Sequence, residues 1–283
     1  MLHNPALLVI DTANNLAAFV ERLREAPWVA LDTEADSLHA YPHKVCLIQF
    51  SLPDRDALLD PLVGLYLSPV WSALDGREII LHGADYDLRM LYRTYGFVPT
   101  RVFDTMLAAR LIGIAKFGLT DLLAHYFHLT LDKAPQKANW ARRPLTDRMI
   151  AYALNDTRHL HRLADQLRRQ LAEKSRLEWH RQACDQLIRE CTTAPTNPGR
   201  EPWRIKGSNH LTRRGLAVLR SLWHWRERQA LAANRPPFFV LPHDALIAIA
   251  NLAAAQQPFE ARIPARFSPE RRAALHSAIR SAL

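Results

Sequence analysis

The apolar run Trp28-Val29-Ala30-Leu31 ends in Asp32-Thr33-Glu34, and this junction constrains the fold more than any other stretch of the chain. It reads as a buried strand whose tip carries two acids. Residues two apart on a strand share a face, so Asp32 and Glu34 point together. Tyr152 and Asp156 open a long charged, Leu-rich stretch of helical period, where a spacing of four makes them neighbours on one side. Asp87, in His82-Gly83-Ala84-Asp85-Tyr86-Asp87-Leu88, follows the strand-like Ile79-Ile80-Leu81 and enters from the start of a helix. Either acidic pair alone is commonplace on a solvated surface. Their order, strand end then strand-to-helix turn then helix face, predicts one cleft lined by four carboxylates and a phenol.

The rest of the pattern predicts an α/β domain with a mixed sheet. Ala6 to Ile10, Trp28 to Thr33, Val45 to Ser51, Ala57 to Asp60 and Glu78 to His82 read as strands, with helix-period segments between and after them. Asp104, ahead of the apolar stretch Met106 to Ile112, reads as a helix N-cap. Asp85 reads as an exposed acid at a helix start, favoured there by the helix dipole. A helical stretch from Thr146 to Cys191 leads into Thr192-Thr193-Ala194-Pro195-Thr196-Asn197-Pro198-Gly199, which is polar and rich in helix breakers. The expected organisation is a domain over residues 1–191, a linker over 192–199 and a smaller helical domain over 200–283.

Charge follows the same division. The net +9 of the chain falls entirely within Arg200 to Leu283, which holds 14 Lys and Arg against 5 Asp and Glu. Arg supplies most of that charge and suits phosphate contacts, while the interleaved Trp203, Trp223, Trp225, Phe238 and Phe239 are more simply core residues than stacking platforms. Cys46, Cys184 and Cys191 are odd in number and lack Cys-x-x-Cys spacing, which argues against a disulfide framework and a zinc site. No apolar run approaches a membrane span, and the first residues lack a basic region followed by an apolar one, so a soluble cytoplasmic protein with no membrane partner is expected.

With these motifs in place, the chain resembles the ribonuclease D family of the DEDD exonuclease superfamily, in its tyrosine-containing branch. Asp32 and Glu34 match the first motif, Asp87 the second, and Tyr152 with Asp156 the third. Val45-Cys46-Leu47-Ile48-Gln49, Phe103-Asp104-Thr105 with Leu107-Ala108-Ala109, and Leu131-Asp132-Lys133 through Trp140 to Arg143-Pro144-Leu145 resemble the segments between them. The histidine branch needs a His at the position of Ala151, and Asn139 stands where an acid is common in the family. Beyond the linker, Trp203-Arg204-Ile205-Lys206-Gly207, Leu211 to Ala233 and Asn234-Arg235-Pro236-Pro237 resemble a single HRDC domain, the all-α module shared with RecQ-type helicases.

The resemblance implies a ribonuclease H-like fold and a metal-dependent 3′-to-5′ exoribonuclease that releases nucleoside 5′-monophosphates. Two divalent ions, Mg2+ or Mn2+, roughly 3.5 to 4 Å apart activate water and neutralise charge on the phosphate in such sites. Asp32 is expected to bridge both ions, Glu34 and Asp156 to complete the first ion's shell, and Asp87 to serve the second. Tyr152 is expected to orient the attacking water, since a phenol near pKa 10 is a poor base at neutral pH. Lys137, Arg142 and Arg143 border the site and are expected to meet substrate phosphates. The implied partner is RNA with a single-stranded 3′ end, such as tRNA precursors, acted on by a monomer. A Werner-type DNA exonuclease and a catalytically weak RNA-binding scaffold are the alternatives.

Overall fold

The computed structural model describes residues 6–132, 134–193 and 201–283. The expected linker lies outside the described residues from Ala194 onward, as does Lys133. The chain divides into two compact units, residues 1–36 with 44–194, and residues 37–43 with 195–283. No described helix is long and apolar enough to cross a membrane.

The first unit runs β1 (Ala6–Ile10), α1 (Ala13–Glu25), β2 (Val29–Ala35), β3 (Val45–Ser51), β4 (Arg55–Leu59), α2 (Ser68–Leu74), β5 (Glu78–Leu81), α3 (Asp85–Tyr95), β6 (Arg101–Asp104), α4 (Thr105–Ile112), α5 (Leu119–Phe127), α6 (Asp147–Arg158), α7 (Leu160–Glu173) and α8 (Leu177–Thr192). The strands form one sheet in the order β1-β4-β3-β2-β5-β6. β2 and β4 flank β3 antiparallel, whereas the β1–β4, β2–β5 and β5–β6 pairs are parallel, so the sheet is mixed as expected. β6 is an addition to the expected strands.

Alternation along the strands sorts the core by face. Val29, Leu31, Ile48, Phe50, Ala57, Leu59, Ile79 and Leu81 pack with the apolar stripes of α1, α2, α3 and α8. On the other face, Ala30, Ile80 and Phe103 meet α4, α5 and α7, while Leu47 and Leu58 meet Met149, Ala153 and Leu154 of α6. Asp32, Glu34, Gln49, Ser51 and Asp56 share the parity of this second set and lie on the α6 side. The single helical stretch expected from Thr146 to Cys191 is three helices. It breaks at His159, and again at Lys174 to Arg176, where Ser175 takes a positive φ of 56°.

The second unit contains α9 (Arg213–Ala233), α10 (Pro237–Val240), α11 (His243–Ala254) and α12 (Pro269–Arg280). Thr212 caps α9 by accepting from the Gly215 N–H at 3.1 Å. Trp203 and Trp225 are interior, packed with Val218, Leu222, Leu246, Ile249 and Leu275, as their spacing suggested. Phe238 and Phe239 are instead exposed. Tyr41 joins this unit by donating its hydroxyl to Glu227 and its backbone N–H to Asn234 Oδ1, 3.2 Å away.

Candidate active site

The acids converge where β2 outruns its parallel neighbour. β5 pairs with β2 only at Val29 and Ala30, whereas β3 follows β2 as far as Ala35. The chain leaves β5 through Gly83, whose φ of +69° is a conformation that favours glycine, while a Cβ there would stand 2.8 Å from the flexible end of Met106. α3 then starts beside the unpaired end of β2. Asp87, in the first turn of α3, accepts the Thr33 N–H at 3.1 Å and the Thr33 hydroxyl at 2.5 Å. A backbone donor that the sheet leaves unpaired is thereby satisfied by the acid of the second motif.

Asp104 holds that turn in place. Its buried carboxylate caps α4 through Met106 N (2.8 Å) and Leu107 N (3.1 Å), and it also accepts Gly83 N (3.0 Å) and Ala84 N (2.9 Å). The N-cap expected from the sequence therefore serves the starts of two helices. Asp85, two residues before Asp87, is exposed and paired with Arg89 at 2.8 Å, as its position at the helix start suggested.

α6 brings in the third motif. Asp32, Glu34 and Asp156 each offer a carboxylate oxygen, and these three atoms lie within 4.8 Å of one another. Tyr152 stands one turn before Asp156, near enough for each to shift the pKa of the other. Asp87 stands outside the triad but close enough to raise the pKa of both Asp32 and Glu34. The face of α6 is set by Met149, Ala153, Leu154 and Thr157, which are buried. Its last turn is fastened to the sheet by a polar network. The Ser51 hydroxyl donates to Asp56 at 2.6 Å and meets the Thr157 hydroxyl at 2.8 Å, and Arg158 Nε donates to Asp56 at 2.7 Å.

None of the four site carboxylates is ion-paired among the described residues. Burial, then repulsion from Asp87, Asp156 and Glu34, holds Asp32 well above the usual carboxylate range. Burial followed by Asp156 and Asp87 pushes Glu34 up to about 9. Asp156 rises to about 7, chiefly through burial and against the Tyr152 hydroxyl, and Asp87 rises to about 6 for the same leading reason, against its bonds to Thr33. Burial and the neighbouring carboxylates also push Tyr152 upward, so the phenol keeps its proton and acts as a donor. A cluster of buried acids that cannot all ionise alone fits a divalent cation, which supplies the missing charge.

The three basic residues next to the site differ. Arg143 folds inward and uses all five of its N–H groups: Nε and Nη2 to Asp60 at 2.5 and 2.8 Å, Nη2 to Cys46 O at 2.7 Å, and Nη1 to Trp140 O and Arg142 O at 2.8 and 2.9 Å. It anchors the segment instead of presenting a charge to substrate. Lys137 and Arg142 are exposed. Gln49, Thr33, Ser51 and Asp56 complete the surroundings of the acids without having been singled out beforehand. Gln49 and Asp56 carried a signal, being polar residues within otherwise apolar strands.

Residues 7–172, more than half of the chain, match the family model described as 3′-5′ exonuclease. The chain belongs to the 3′-5′ exonuclease family. Residues 215–256 match the HRDC domain. Ribonuclease D of Gluconacetobacter diazotrophicus is 34% identical over 264 residues, 92% of this chain and 66% of that protein. Ribonuclease D of Desulfotalea psychrophila is 31% identical over 248 residues. The chain thus spans 66% of the length of each of these relatives. The crystal structure of Escherichia coli RNase D, titled an exoribonuclease involved in structured RNA processing, superposes with a TM-score of 0.77 at 25% identity, covering 98% of this chain and 75% of that one. Brucella melitensis NrnC with bound Mg2+ shares the exonuclease fold at a TM-score of 0.57 and 22% identity, over 66% of this chain and 92% of that one. The mixed sheet with helices on both faces is therefore the ribonuclease H-like exonuclease fold, followed by an HRDC helical domain, as the resemblance implied.

Proposed function

We propose that this 3′-5′ exonuclease is a metal-dependent exoribonuclease of the ribonuclease D type, removing nucleoside 5′-monophosphates one at a time from the 3′ ends of structured RNA such as tRNA precursors. The observation that carries the reading is the convergence of Asp32, Glu34 and Asp156 within 4.8 Å, with Tyr152 and Asp87 near enough to act on their pKa values. Asp32, Glu34, Asp87 and Asp156 hold two divalent ions in this reading, Mg2+ or Mn2+, and the Mg2+ of the NrnC structure supports a hard cation on this fold. Bound there, the ions neutralise the scissile phosphate and acidify the attacking water.

The protein's own groups do the rest. Thr33 fixes Asp87 through one oxygen and leaves the other directed at substrate or cation. Tyr152, protonated, donates a hydrogen bond that orients water or a phosphate oxygen, and its ring rests beside that of Trp140, 6.0 Å between centroids. Hydrolysis cleaves the bond between phosphorus and the 3′ oxygen of the penultimate nucleotide, so the phosphate departs with the terminal nucleoside. Lys137 and Arg142, both exposed, suit backbone phosphates in this reading. The catalytic domain occupies residues 1–191, a linker residues 192–199 and the HRDC domain residues 200–283, in a cytoplasmic monomer.

Digestion of a 5′-labelled single-stranded RNA tests this, with Mg2+ or Mn2+ present and with EDTA and Asp156→Ala controls. A descending ladder lost in both controls is expected. Intact RNA with either ion would overturn the proposal, and faster loss of matched single-stranded DNA would redirect it to a DNA exonuclease.

A further inference from the structure

β3 is buried along its whole length, and its side chains facing α6 alternate Leu47, Gln49, Ser51. Leu47 packs with Ala153 and Leu154, and Ser51 bonds to Thr157 and Asp56. Gln49 lies between them, 0% exposed, and neither its Oε1 nor its Nε2 has a partner among the described residues. The indole N–H groups of Trp140 and Trp225 are in the same position, but an amide leaves both a donor and an acceptor unmet. Such a group is destabilising, and an apolar residue of like size would fold more readily in its place. Its presence calls for a use.

Register supplies one. Gln49 is the direct cross-strand partner of Asp32, and facing residues of an antiparallel pair stand on the same side with Cβ atoms about 4.5–5.5 Å apart. The amide therefore comes within reach of the Asp32 carboxylate, which receives no side-chain donor among the described residues. We propose that Gln49 is a positioning residue of the carboxylate site: its amide N–H donates to Asp32 once Asp32 carries a divalent cation, fixing the orientation of that carboxylate. This rests on the reading of the acids as a cation site. Gln49 touches neither RNA nor ion and acts through Asp32.

The test compares the full-length chain with Gln49→Leu and Gln49→Met, the second keeping the unbranched shape in case the first does not fold. Three quantities are read: thermal stability without ions, Mn2+ affinity by titration without RNA, and kcat and KM on single-stranded RNA. The expected result is unchanged or raised stability, Mn2+ affinity lowered roughly 10- to 100-fold, and reduced kcat with KM little altered. A residue that merely packs gives the reverse, lower stability with the wild-type Mn2+ affinity, and that would overturn the proposal. If the wild type bound Mn2+ but left RNA intact, the exoribonuclease reading would fail while the affinity comparison still decided Gln49: equal affinities overturn its role, a weakened one upholds it.

Discussion

Replacing Asp56 with Ala should cost the first unit more stability than any exposed ion pair could explain. Asp56 is 1% exposed and takes two donors, Ser51 at 2.6 Å and Arg158 at 2.7 Å. Its removal leaves the guanidinium without its partner and deprives the Ser51 hydroxyl of its acceptor. Breaking a fully buried pair costs roughly 3–5 kcal/mol. The Arg158 side chain is 25% exposed, so water recovers part of its charge, and about 2–4 kcal/mol is the expected loss. For a unit of this size each kcal/mol lowers Tm by about 2–4 °C, which places the shift near 5–15 °C. Thermal unfolding followed by a probe within the first unit measures it. Arg158→Ala and the double variant complete a cycle, and the double should cost less than the sum of the singles by about 1–3 kcal/mol. Because Arg158 and Thr157 directly follow Asp156, the Asp56 variant should also lose turnover at a temperature where it is still folded. A loss below about 0.5 kcal/mol, or additive singles, would refute the view that this network fastens α6.

Four further outcomes follow from the site. With Glu34 at about 9 and Asp156 at about 7, the ion-free protein at pH 7 keeps about one to two protons that cation binding must expel; Mn2+ titration calorimetry in buffers of different ionisation enthalpy should show that release, with affinity rising from pH 6 to 9, and a buffer-independent heat would count against it. The raised pKa values also set a sign: the folded chain binds more protons than the unfolded one between the ordinary value of 4.5 and about 9 for Glu34, so ion-free stability falls through that window as pH rises, and added cation should flatten the fall. Asp104→Asn keeps one acceptor oxygen and loses either the Ala84 bond at Oδ2 or the Gly83 and α4 bonds at Oδ1; about 1–3 kcal/mol of stability should go, together with activity, since α3 carries Asp87, and full activity in this variant would show that the turn holds itself. Arg142→Ala should reduce the salt dependence of RNA binding by about one unit of slope, whereas Arg143→Ala should lower stability and leave that slope unchanged; the opposite pattern would restore Arg143 to the RNA-facing set.

What could be read from the sequence and what could not divides along the distance between partners. Asp32 with Glu34, and Tyr152 with Asp156, are pairs whose geometry is dictated by the period of a single element, so spacing alone oriented them. The strands were legible wherever three or more apolar residues ran together. β6 escaped because Arg101–Asp104 has only Val102 and Phe103 between charged ends and is held by pairing with β5. The breaks at His159 and Ser175 escaped because the Leu stripes of α6, α7 and α8 continue on either side of them and neither junction holds Gly or Pro. The inward turn of Arg143 depends on Asp60, 83 residues earlier, and the place of Tyr41 on Glu227, 186 residues later. Composition gives no sign of either. Gln49 falls between these cases. A polar residue in a fully buried strand is visible in the sequence, but only the register of β3 on β2 sets its amide opposite Asp32. Slipping that register by one residue would turn the amide to the far face, against Val29 and Leu31, where no carboxylate stands. Local periodicity thus marks which residues do chemistry, and strand register decides which neighbours hold them to it.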